Sequence, residues 1–381
     1  MSAPETAVLL GTLGGLLLAG VALDGLARRV GIPRVSLLLV FGVVVGPSGL
    51  DLLPDSWEAW YPAVSELALA MVGFLLGGEF TLQRLRERGP QVLRLSLAVT
   101  LATAAVVGAG LWLLGMDLGV ALLLGTAATA TDPAGVDDVL KEMGAKGPRA
   151  ELLRGVVAID DLWGILLFGV TMAALGMLDG GPAGEALLDA GFELGGSLLL
   201  GLGLGLPMAY LTGRLRPGEP TRLEALGFVL LGGGLASWLG LSYLLTAVVM
   251  GAVVANLARH HKIPFRELEH LESPFLVLFF LMSGASAHLS VLPELFWLLL
   301  AYLGLRVLGR LVGGLLGAQR EQPRSIGLAL LPQAGVAVGM TLVATQHHPN
   351  LGGEALEIVL LGTVAFETLG PLLTRWSMRD A

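Results

Sequence analysis

Cysteine is absent from this 381-residue sequence, which excludes disulfides, thiol nucleophiles and thiolate metal sites. Charge is scarce as well. Asp, Glu, Lys and Arg make up 14% of the chain, against roughly a quarter in an ordinary soluble domain. With 54% hydrophobic residues alongside, a water-soluble globular fold is excluded and the bilayer is the expected solvent. There is no Walker A loop, no nucleotide-binding domain and no Ser/His/Asp arrangement, so the chain is not read as an enzyme. Energy for any work it does is expected from an ion gradient. The carbonyl filter sequence TVGYG is missing. His260, His261, His270, His347 and His348 fall in polar breaks as solvated loop residues, and their spacing makes no transition-metal site. No cofactor and no nucleic-acid partner are expected.

What is present is a series of apolar runs of about 18 to 25 residues, each long enough to cross a hydrocarbon core of roughly 30 Å. They run near 6–27, 35–53, 61–79, 91–115, 118–140, 151–177, 187–213, 223–240, 242–258, 273–290, 293–317, 324–346 and 352–374. The fold class expected is therefore an all-α polytopic membrane protein of about thirteen transmembrane helices. The first run lacks a basic lead-in and a cleavage site, and reads as a retained helix. Basic residues mark every second break. Arg28, Arg29 and Arg34 follow the first span; Arg84, Arg86, Arg88 and Arg94 the third; Lys141, Lys146, Arg149 and Arg154 the fifth. The series continues with Arg214, Arg216 and Arg222, then Arg259, Lys262 and Arg266, then Arg320 and Arg324, and ends with Arg375 and Arg379. The opposite breaks carry Asp51, Asp55, Glu58, Asp117, Asp179 and Glu185. Positive charge stays in the cytoplasm, so the N-terminus is expected outside and the C-terminus inside. Only Arg306 and Arg310 stand apart, within the eleventh span.

Two stretches recur. Residues 66–82 resemble 274–290, and VSLLLVFGVVVG at 35–46 resembles YLLTAVVMGAVV at 243–254, with a shared offset. An odd number of spans separates the copies, so the second is upside down. Spans 1–6 and 8–13 then form inverted-topology repeats around span 7, an arrangement found in secondary transporters.

Each half also carries an interruption. In Ala130-Thr131-Asp132-Pro133-Ala134-Gly135, Pro133 removes a backbone donor and disfavours helical geometry at Asp132. Leu331-Pro332-Gln333-Ala334-Gly335 breaks the related span. Two crossing broken helices of this kind bring partial charges to mid-membrane, and Asp132 is suited to compensate the positive ends. Asp160 and Asp161 lie in the sixth span among Gly155, Val156, Val157, Ala158, Trp163 and Gly164. Each costs at least about 2.5 kcal/mol there, and adjacent helical positions point roughly 100° apart. One carboxylate can therefore meet an arginine while the other meets a water-filled cavity. Arg306 and Arg310, four apart, share a helical face. Arg306 is the expected partner of Asp160, and Arg310 is expected to pair elsewhere or to reach the cytoplasmic end. Glu79 ends the third span, interfacial or lining an inner vestibule. Glu367, inside the last span, is placed to cap a helix or pair with an arginine.

Taken together, Ile159-Asp160-Asp161, Ala130-Thr131-Asp132-Pro133, Arg306-Val307-Leu308-Gly309 and the late Pro332 break resemble bacterial sodium/proton antiporters of the monovalent cation:proton antiporter superfamily, over nearly the whole chain. The resemblance implies exchange of Na⁺, or of Li⁺ or K⁺, for protons, in the bacterial cytoplasmic (inner) membrane. It implies Asp161 as the cation ligand, Asp160 as partner of the basic residue of span 11, and Thr131 and Asp132 beside them. It implies a homodimer in which 1–90 and 223–291 are the dimerisation domain, 178–222 is a linker helix, and 91–177 with 292–381 form a core that moves like an elevator. Paired aspartates usually go with lysine in such proteins, and arginine with Asn-Asp; this sequence mixes the two. Two other readings stay open at this stage: an organic-anion symporter of related architecture, and a transport-inactive sensor or channel.

Overall fold

A computed structural model of the chain describes residues 3–30, 33–54, 56–79, 81–178, 183–212, 221–258, 262–287, 292–318, 324–333 and 335–378. Among them there is no strand. Fourteen α-helices and one 3-10 segment account for nearly all of the described chain. They are α1 (Ala3–Val30), α2 (Arg34–Val45), α3 (Trp57–Glu79), α4 (Leu82–Leu113), α5 (Leu118–Ala127), α6 (Pro133–Glu142), α7 (Pro148–Leu178), α8 (Ala183–Thr212), α9 (Thr221–Trp238), α10 (Tyr243–Leu257), α11 (Lys262–Ala285), α12 (Leu292–Gly317), the 3-10 segment Arg324–Leu330, α13 (Gly335–His347) and α14 (Pro349–Ser377). Every apolar run coincides with one helix or one broken pair. Seven of the described helices are long and apolar enough to cross a membrane unaided.

Local chemistry sets the boundaries. Asp117 accepts from the amides of Gly119 and Val120 and so caps α5, while Ser242 accepts from Leu245 to cap α10. Gly115 and Gly240 adopt positive φ, which closes α4 and α9 with little steric penalty. Within α4 a positive φ at Gly89, just before Pro90, kinks the first turns away from the apolar run.

The chain forms two compact units. One comprises residues 1–55, 88–175 and 280–381; the other comprises 56–87 and 176–279. In the second, α10 packs against α3, α8 and α9. It is only 15 residues long, about 22 Å, and it is buried on nearly all sides. Its core joins Met71, Phe74, Met208, Val229, Met250 and Val254, and Phe74 stacks on Phe265 with centroids 4.8 Å apart. Gly251 lies against the carbonyl of Phe74, and Gly77 against that of Val248. The first unit contains a matching pair: Gly42 of α2 lies against the Leu281 carbonyl at the end of α11, and Gly284 against that of Leu39. The similar stretches read from the sequence thus make the same kind of crossing.

In the first unit α12 is fastened to α4 by glycines four apart. Gly309, Gly313 and Gly317 face Thr103, Val99 and Leu95, leaving no room for a side chain: a Cβ on Gly309 would sit 2.7 Å from the Cα of Thr103. Such contacts replace the hydrophobic drive that lipid does not provide. Gly313→Leu is expected to force the helices apart and to cost about 1–3 kcal/mol, the usual range for overpacking. A lowered thermal midpoint in detergent, with Gly313→Ala between it and the wild type, is the measurement.

Candidate functional site

The two interruptions meet. Between α5 and α6 the chain runs non-helically through Ala128–Asp132, and between the 3-10 segment and α13 it does so through Leu331–Gln333. The first half of the second broken span is thus a tight 3-10 turn, not an α-helix. The Asp132 amide donates to the Pro332 carbonyl across 2.9 Å. Asp132 also caps α6, its Oδ2 accepting from the Gly135 amide at 2.7 Å, with Pro133 at the first helical position where its missing N–H is harmless. Asp132 and Pro133 are half-buried.

Four charged side chains surround this crossing. Asp160, Asp161, Arg306 and Arg310 are all 0% exposed. Asp160 is saturated: Oδ1 accepts from Thr100 Oγ1 at 2.7 Å, and Oδ2 from Thr131 Oγ1 at 2.5 Å and from Arg310 Nη1 at 2.6 Å. A guanidinium and two hydroxyls hold it in place. Asp161 differs. Its Oδ1 accepts from the Thr131 amide at 3.1 Å, and its Oδ2, buried as well, has no partner. A buried carboxylate oxygen without a donor is costly.

The expected pairing of Arg306 with Asp160 is corrected. Arg310 is the partner, fully buried at the crossing. Its Nη2 also donates to the carbonyls of Thr129, Ala130 and Ala128, at 2.5, 3.2 and 3.4 Å. Arg306 instead clamps both breaks, donating to Ala128 at 2.9 Å, Ala130 at 2.7 Å and Leu331 at 2.6 Å, with its guanidinium 4.3 Å from the centroid of Phe366. Two arginines one turn apart thus satisfy the carbonyls released where α5 and the 3-10 segment end, which hydrocarbon would leave bare. The physical reason for the correction is depth. The glycine contacts with α4 fix α12 so that Arg310, and not Arg306, lies level with Asp160.

Further polar groups support the crossing. Trp163 Nε1 donates to Ser96 Oγ at 3.1 Å, and Thr126 and Thr171 hydroxyls lie 2.7 Å apart. Tyr302 and Gln333 pair beside Arg306. Gly164 lets α7 approach Thr129: a Cβ there would sit 2.8 Å from Thr129 Oγ1. Glu367 is buried in α14 and Oε1 has no partner. The Glu79 side chain lies outside the described residues, as do residues His260 and His261. Sequence reasoning missed Thr100, because a threonine in an apolar helix usually bonds its own backbone; it also missed Phe366 beneath Arg306. Among the described residues no three His, Cys, Asp or Glu side chains gather as a metal site.

Residues 14–379 match the family described as sodium/hydrogen exchanger, transmembrane. The ammonium/H⁺ antiporter subunit AmhT of Alkalihalophilus pseudofirmus is 27% identical over 316 residues, covering 80% of this chain and 77% of that protein. Among solved structures, the sodium proton antiporter MjNhaP1 from Methanocaldococcus jannaschii at pH 8 superposes with a TM-score of 0.79 at 22% identity, over 98% of this chain and 99% of the other. An electron-microscopy structure of the same antiporter gives 0.73, also at 22% identity, over 99% and 96%. The fold is the same.

Proposed function

The chain belongs to the transmembrane sodium/hydrogen exchanger family of cation:proton antiporters, and from that premise we propose that Asp161 is the carboxylate at which a monovalent cation and a proton compete. The observation that carries this is the contrast between neighbours: Asp160 is held by three donors, whereas Asp161 keeps one buried oxygen without any. A cation binds Asp161 only when it is ionised, and a proton expels the cation by neutralising it. The empty ionised site is a bare charge in a low-dielectric interior and is held back from crossing. Exchange then needs no further machinery.

Na⁺ is the cation we favour, with Li⁺ and K⁺ as alternatives; the relatives' names speak of sodium and of ammonium. The moving body comprises 91–177 and 292–381 and travels like an elevator, carrying the crossing with it, while 1–90 and 223–291 form the dimer scaffold and 178–222 the link. The protein sits in a bacterial cytoplasmic membrane as a homodimer, N-terminus outside, with the basic breaks supporting that orientation.

The test is proton movement in proteoliposomes containing a pH-sensitive dye, with Na⁺, Li⁺, K⁺ or ammonium added in turn. A saturable pH change names the ion; its absence for every cation, in folded protein, removes the reading. Competition gives a further expected result. Lowering pH on the side of cation entry raises the apparent KM about tenfold per pH unit wherever the protonated form dominates, with the maximal rate unchanged, because proton and cation exclude one another at one group. Initial rates over a grid of pH and cation concentration check it; a fall in maximal rate at constant KM contradicts it.

A further inference from the structure

Glu367, like Glu357 on the same helix, is a buried acidic side chain that this mechanism leaves unused. It lies in α14, is 4% exposed, and its Oε1 has neither solvent nor a hydrogen-bond partner. Its surroundings are fixed by packing. One turn further on, Gly370 presses on the second break, where a Cβ would lie 2.6 Å from the Pro332 nitrogen. One residue earlier, Phe366 lies under Arg306. The Pro332 carbonyl receives the Asp132 amide. Glu367 therefore stands where α14, both breaks and α12 come together, with Asp132 and Arg306 as its electrostatic neighbours.

Charge accounting identifies its state. With a cation or proton on Asp161, the ion pair Asp160–Arg310 is neutral. Arg306 remains as one positive charge, and Asp132, half-buried and accepting from the Gly135 amide, already provides one carboxyl group beside it. A second carboxylate here leaves this cluster of side chains with a net negative charge on every crossing. The other elements against α14 do not compensate it. Among the described side chains, α5 and α13 carry no charge, Arg34 lies at the start of α2, and Asp137, Lys141 and Glu142 of α6 are tied to one another, to Arg154 and to Arg375.

We propose that Glu367 is a second, resident proton site: it holds a proton through both limbs of the cycle, keeping the crossing neutral, and does not exchange it. Glu367 thus acts as a buried carboxylic acid outside the exchange site at Asp161. The proposal rests on the antiporter reading for its part in the cycle, but the proton on Glu367 is measurable by itself.

The experiment is infrared spectroscopy of the full-length protein at neutral pH, with and without saturating Na⁺, beside Glu367→Gln. The expected result is a protonated-carboxyl band present in both conditions and missing from the variant. Counting protons per cation in proteoliposomes is the second readout, expected to be equal in wild type and variant. Absence of the band overturns the proposal. A ratio lowered by one proton in Glu367→Gln overturns it too, because Glu367 would then be an exchanging group. So does failure of the variant to fold, since the amide is a near-isostere of the neutral acid. A band assigned to Glu367 in protein that exchanges no cation would leave this site standing and remove the antiporter reading instead.

Discussion

Asp161→Asn is expected to reduce exchange by about three orders of magnitude while leaving the protein folded. The size follows from charge. A unit cation about 4 Å from a carboxylate gains about 4 kcal/mol at the effective dielectric of a protein, and each 1.4 kcal/mol is tenfold in affinity. An amide of the same shape forfeits that attraction. It also removes a fully buried negative charge that no cationic side chain neutralises directly, so the variant's thermal midpoint should equal or exceed that of the wild type. Opposite movement of activity and stability distinguishes a binding carboxylate from a structural one. Dye-reported exchange in proteoliposomes and thermal unfolding in detergent measure the two. Normal exchange in Asp161→Asn sinks the assignment.

Arg310→Ala is expected to have the largest effect on stability. It strips Asp160 of its guanidinium in a fully buried setting and uncovers the Thr129 carbonyl. Breaking a buried ion pair from one side costs about 3–5 kcal/mol, chiefly because the remaining charge is left without compensation. The double variant Asp160→Asn/Arg310→Ala should recover part of that loss, since it removes the stranded charge; a double-mutant cycle isolates the coupling. Arg306→Ala provides the control. It removes a donor from three carbonyls, two of which Arg310 also serves, but strands no hydrogen-bonded carboxylate, so the same Asp160→Asn change should not rescue it. Rescue of Arg306→Ala in place of Arg310→Ala would reverse the assignment made from the structure.

The helical spans were legible because apolar length and alternating basic breaks act at the level of whole segments, which the bilayer constrains strongly. Pro133 and Pro332 were legible because a missing amide is a property of one residue. Asp160, Asp161, Arg306 and Arg310 announced themselves by being charged in apolar runs. The partner of Asp160 was not legible. Arg306 and Arg310 lie on the same face of α12, and a shift of one turn along that helix, about 5.4 Å, exchanges their roles. Nothing local to the arginines sets that shift; the contacts of Gly309, Gly313 and Gly317 with α4 do. Thr100 was hidden for a similar reason, since its hydroxyl gains meaning only when α4 and α7 are placed side by side.

The bond from the Asp132 amide to the Pro332 carbonyl, 2.9 Å long, makes the two interrupted segments a single rivet. Parting them would break this bond and oblige one backbone donor and one acceptor to find other partners. On the proposed elevator movement the two segments, joined in this way, travel together as one part.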